Sequence, residues 1–119
     1  MRVAALVDDL MDRSRVVRAV PGTTFASDPA AVGDADVVIV DLARHGAQLG
    51  QLRSAHPQAR LVAFGPHVDA ETLAAARRAG ADRVLARSQF FRDPAGALAP
   101  GSDPVPPSGG GGSAGGCGP

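Results

Sequence analysis

The chain has 119 residues, 45% hydrophobic and 20% charged, a balance that fits one soluble globular domain and excludes disorder throughout. Its 12 Arg face 11 Asp and one Glu at zero net charge, with no Lys, so neither a nucleic-acid footprint nor an anionic membrane surface is indicated. The apolar run at the N-terminus is cut short by Asp8 and Asp9, and no run approaches the ~20 residues of a membrane span, which predicts a cytoplasmic protein.

Residues 3–7 read as a first strand closed by Asp8 and Asp9. Leu10, Met11, Val16, Val17 and Val20 then recur at helical spacing until Pro21-Gly22 stops them. Thr23, Thr24 and Phe25 suggest an edge strand, and Ser27-Asp28-Pro29 starts a short helix over residues 29–32. Residues 37–40, Val-Val-Ile-Val, are β-branched throughout, as in a central strand buried on both faces of a parallel sheet, and end at Asp41. The segment Leu42-Ala-Arg-His-Gly46 reads as a loop turning at its glycine. Leu49, Leu52 and Arg53 fit a helix running to His56-Pro57, and residues 61–64 form a fourth strand ending at Gly65-Pro66.

Asp69 caps a helix over residues 70–79 that Gly80 stops. Residues 82–86 give a fifth strand, and residues 89–98 a last helix. Strands alternating with helices across short connections predict an α/β fold: a flavodoxin-like, doubly wound, five-stranded parallel sheet in the order 2-1-3-4-5. This domain takes residues 1–98. Residues 99–119, rich in Gly, Pro and Ser, read as a flexible tail, and its lone Cys117 has no internal disulfide partner.

In such a sheet, ligands bind outside the carboxyl ends of the strands where strand order reverses, here between the first and third strands. Asp8, Asp9 and Asp41 meet at that point from distant parts of the chain. The same acids admit a local reading, in which Asp9 caps the first helix; Asp12 reads as a solvated first-turn acid. The glycine-rich fingerprint of a dinucleotide fold is absent after the first strand, where Asp8-Asp-Leu-Met11 stands.

Over residues 1–98 the chain resembles the receiver domain of two-component response regulators. Leu6-Val-Asp-Asp9 matches the family's acidic pair, Val37-Val-Ile-Val-Asp-Leu42 its phosphoacceptor strand, and Gly80-Ala-Asp-Arg-Val-Leu-Ala-Arg87 its run into the fifth strand. The resemblance implies Mg2+ held by Asp8, Asp9 and Asp41, a phosphoryl group taken by Asp41 from a histidine kinase, and output through protein partners rather than enzymatic turnover. It departs from the pattern at four places. Gly65 stands at the hydroxyl position, Arg87 at the Lys position, Ser88 where a proline follows, and Val84 where an aromatic residue is usual. Arginine keeps the charge but presents a wide planar fork in place of a compact ammonium. The pattern is that of an atypical, stand-alone receiver, or pseudoreceiver.

A second reading rests on Arg13, Arg15, Arg44, His45, His67 and Arg87, which fall at the carboxyl end of the sheet. Arg13, His67, Arg87 and Ser88 there could bind a phosphate or another anion beside helix N-termini, independently of phosphorylation. Against it, Arg13 and Arg15 can lie on a solvated helix face while the others pair with neighbouring Asp. His45, His56 and His67 make no three-histidine metal site, since His56 belongs at the opposite end. His67 and Asp69 lack a nucleophile for hydrolysis.

Overall fold

The computed structural model describes residues 1–99; the expectations for residue 100 onward and for Cys117 lie outside the described residues. Five parallel strands form one sheet: β1 (Val3–Leu6), β2 (Thr24–Phe25), β3 (Val37–Asp41), β4 (Arg60–Gly65) and β5 (Arg83–Ala86), in the order β2-β1-β3-β4-β5. The helices are α1 (Leu10–Ala19), α2 (Leu42–His45), α3 (Leu49–Ala55), α4 (Ala70–Ala79), α5 (Arg87–Arg92) and α6 (Pro94–Ala97). The architecture and strand order are those expected.

Each central strand feeds two cores, because successive side chains leave opposite faces of the sheet. Ala4, Leu6, Val38, Val40, Leu61 and Ala63 join Leu49 and Leu52 of α3 and Ala76 of α4 in one cluster. Val3, Ala5, Val37, Ile39, Val62, Phe64 and Leu85 join Val16 of α1, Phe90 of α5 and Ala97 of α6 in the other. All five residues of β3 are buried. A strand covered on both sides cannot alternate polar and apolar residues, which is why β3 carries an unbroken Val-Val-Ile-Val run. On the second face Phe64 stacks on Phe90 at 4.8 Å, and Phe91 meets both rings edge-on.

Four local expectations are corrected. The segment after Asp41 is a helical turn, α2, because the Asp41 carboxylate caps it; Gly46 opens a 3-10 turn, Gly46–Gln48, instead of bending a loop. The short helix after Asp28 is likewise a 3-10 turn, Pro29–Ala31. The last helix is two, α5 and α6, since Pro94 cannot continue α5 and Asp93 caps α6 through Gly96 N–H. In α1, Leu10 and Met11 are not core residues: they are 77% and 68% exposed, and the inward positions belong to Asp12 and Val16.

Gly80 ends α4 at a φ of +115°, where the chain passes within 2.6 Å of the Arg53 side chain as measured from a would-be Cβ. Arg53 uses that proximity to donate to Gly80 O and to Asp82 Oδ2, while the same Asp82 oxygen accepts from Leu61 N–H. These bonds secure the amino end of the sheet, opposite the acidic crevice. Among the described residues no helix is long and apolar enough to cross a membrane.

At the other end of α4, the Asp69 carboxylate accepts from Thr72 N–H, and this bond holds its pKa below the ordinary value. Stability from a depressed carboxyl is present above its unfolded pKa of ~3.9 and is lost as pH falls through the lower folded value. Amide protection factors, corrected for intrinsic exchange, should therefore fall in the first turn of α4 below about pH 4. In Asp69→Asn, which caps without titrating, that acid-linked change should be smaller; an identical acid response would refute the assignment.

Candidate functional site

The carboxyl end of the sheet collects four carboxylates, and each has work within the fold. Asp9 is the N-cap of α1, accepting from Met11 N–H at 2.9 Å and Asp12 N–H at 3.0 Å. Asp41, buried at the end of β3, accepts from Ala43 N–H at 3.0 Å and starts α2. Asp8 remains partly open to solvent and meets His45 Nε2 at 3.1 Å. The buried His45 ring is held on its other side by Gln48 Oε1, 2.6 Å from Nδ1. The α2 turn thus places His45 over Asp8, an arrangement that a loop after Asp41 would not have fixed.

Asp12 differs most from its expected place. It is 1% exposed, faces inward one turn before Val16, and its Oδ1 is hydrogen-bonded to Arg87 Nη2. Arg15 stands 3.9 Å from the same oxygen. The Arg87 guanidinium also lies over the rings of Phe91, at 5.1 Å, and Phe64, at 5.8 Å, while Arg15 covers Phe91 at 5.6 Å. The hydrogen bond that Arg87 donates to Asp12 raises the Arg87 pKa; partial desolvation opposes this, and the fields of Asp12, Asp41 and Asp9 add to it. Arg87 is therefore a fixed cation, bonded to Asp12 and facing the acids of the switch point.

The arginine rim is largely spoken for. Arg13 donates from Nε to Val7 O at 2.6 Å and stacks over Phe25, and Arg15 and Arg87 serve Asp12. Arg44 is exposed, and so is His67, near Asp69. Ser88 is not a cap: it lies inside the first turn of α5, whose leading N–H group, that of Ala86, donates to Gln89 Oε1. His56 sits at the far end of the sheet with Nε2 on Pro29 O, as expected. A Cβ at Gly65 would touch Leu42 in ordinary contact, so glycine there leaves out a hydroxyl for which space exists.

Asp8, Asp9 and Asp41 come to the same end of the sheet, but among the described residues no group of three or more His, Cys, Asp or Glu side chains is placed to hold a metal ion. The donor set fits Mg2+ poorly. Hard cations take several oxygens at ~2.0–2.1 Å, whereas one oxygen of each acid already serves a protein N–H. Sequence reasoning missed Asp12 and the Gln48-His45-Asp8 chain. Asp12 had a readable signal, since it precedes Val16 and Val20 at the i, i+4 spacing of one helix face.

No protein-family model and no curated protein matches the sequence. Solved structures do. A response regulator from Burkholderia pseudomallei, determined with a phosphorylated aspartic acid, a calcium ion and citrate, superposes with a TM-score of 0.70 at 18% identity, over 84% of this chain and 68% of that one. The chain has the receiver fold. A response regulator from Thermotoga maritima matches with a TM-score of 0.60 at 18% identity, over 73% of this chain and 85% of that one. The phosphorylated cyanobacterial phytochrome response regulator RcpA matches with 0.65 at 12% identity, over 76% and 86%. What this chain shares with them is architecture.

Removing one member of the Asp12–Arg87 pair leaves a buried carboxylate without its main counter-ion. Arg87→Met should cost about 2–3 kcal/mol in urea unfolding, below the usual loss for a fully buried pair because Arg87 is partly solvated. Adding Asp12→Leu should recover most of that loss. A single substitution with no effect would show that the pair does not hold α1 to α5.

Proposed function

We propose that this chain is a receiver-fold signalling module that acts by binding a protein partner and no longer switches by phosphorylation. The observation that carries the reading is the commitment of Arg87 to Asp12. A cation after the fifth strand supports phosphoryl signalling by meeting the phosphate oxygens on the acceptor carboxylate. Arg87 instead bonds a carboxylate of α1 through Nη2 and lies against Phe64 and Phe91. Gly65 brings no hydroxyl, and Val84 no ring, to relay a change at Asp41.

Asp41 keeps the phosphoacceptor position, and its second role as the cap of α2 accounts for its retention without phosphorylation. The alternative of an anion held on the arginine-rich end is less well supported, because Arg13, Arg15 and Arg87 already have partners. A protein partner is the remaining class of ligand for a fold whose relatives in architecture are response regulators.

Incubating the protein with Mg2+ and a small phosphodonor, then measuring intact mass beside Asp41→Ala, tests this reading. The expected result is no gain of a phosphoryl group that depends on Asp41. Such a gain, with amide shifts propagating to β5, would overturn it and make the chain a phosphorylated receiver.

A further inference from the structure

We infer that the crevice is closed to a divalent metal by its own side chains, with the His45 ring held on Asp8 and Arg87, bonded to the neighbouring Asp12, setting its charge against Asp9 and Asp41. The inference rests on the reading above and deepens it: a crevice neutralised from within needs neither metal nor phosphoryl group to be complete.

The charge balance supports it. Four carboxylates, Asp8, Asp9, Asp12 and Asp41, converge at the carboxyl end, a density that in isolation would attract a hard dication. Against them stand Arg87 on Asp12, Arg15 at 3.9 Å from the same oxygen, and His45 on Asp8. Arg13 is anchored beside them on Val7 O, at the end of the strand that carries Asp8. The field that would draw a metal is weakened by arginines fixed at short range, and the His45 ring covers one oxygen of Asp8.

Two independent elements supply these groups. His45 comes from α2, where Gln48 sets the ring with its Nε2 toward Asp8. Arg87 comes from the first residue of α5, where Phe64 and Phe91 hold the guanidinium against Asp12. A metal would have to displace the imidazole from Asp8 and enter against the guanidinium field at Asp41 and Asp9. The hydrogen bonds to Met11, Asp12 and Ala43 N–H would also compete for one oxygen of Asp9 and one of Asp41.

The test is a titration of the whole chain with Mg2+ followed by thermal unfolding, and with Mn2+ followed by paramagnetic broadening of backbone amides, both without phosphodonor. In the wild type, millimolar Mg2+ should leave the unfolding midpoint unchanged, and Mn2+ should not broaden Asp8, Asp9 and Asp41 selectively. His45→Leu, which fills the buried site without a donor, should show Mn2+ broadening at Asp8 at concentrations at least about tenfold below any that broadens the wild type, the order expected when a hydrogen bond to the carboxylate is removed. Arg87→Met should become Mg2+-stabilised, the ion substituting for the lost cation. If Arg87→Met fails to fold, His45→Leu decides the matter alone.

Selective broadening at Asp8, Asp9 and Asp41 in the wild type, with a rise in the midpoint, would overturn the inference. So would folded variants that gain no affinity, since the internal groups would then not be what keeps metal out. Metal binding without phosphorylation would sink this inference and leave the functional reading standing; Asp41-dependent phosphorylation would sink the functional reading itself.

Discussion

The buried pair of Asp12 and Arg87 is the contact on which the carboxyl end of this domain depends. It joins α1, which leaves β1, to α5, which leaves β5, with β3 and β4 lying between those two strands in the sheet. A carboxylate so fully removed from water is tolerable only with a close counter-ion. That requirement orients α1 about its axis: Asp12 and Val16 turn inward, and Leu10 and Met11 are carried to the surface. Phe91 is then enclosed between Arg15 and Arg87, one from each helix, so ionic and ring contacts act on the same junction.

Beside that pair, the acids at the strand ends have structural roles of their own. Two acids at the strand ends, Asp9 and Asp41, begin helices, because the first N–H groups of α1 and α2 lack intrahelical acceptors and a strand-ending Asp supplies one. Those local roles are enough to keep the acids in place with no signalling duty. Asp8, free of capping, takes the His45 ring instead. An acidic crevice in this fold is thus compatible with a purely structural economy of charge, and its function has to be argued from which cation faces which acid.

The sheet was legible because its cause is periodic and local. A run of four β-branched residues in β3 and short apolar runs in β1 and β4 are what double-sided burial demands, and the alternation with helices restricts the strand order to few arrangements. Gly80 was legible as a helix stop for a similar reason, since it takes a left-handed φ of +115° that a side chain would strain. The break at Asp93-Pro94 and the helix after Asp41 were equally written in the chain, as a proline and a cap, but an apolar pattern masked the first and the turn signal of Gly46 the second.

By itself the sequence determined the α/β class, the parallel sheet, the ends of most helices and the convergence of Asp8, Asp9 and Asp41, all consequences of hydrophobic period, capping chemistry and short connections. Only the tertiary structure decided the partners of the charges. That Arg87 reaches Asp12 across 75 positions of chain, that His45 reaches Asp8 across 37, and that Asp12 is buried and not solvated depend on the packing of α1, α2 and α5 on one sheet. Coulomb attraction is set by distance in space and by exclusion of water, and neither quantity exists until the helices are docked.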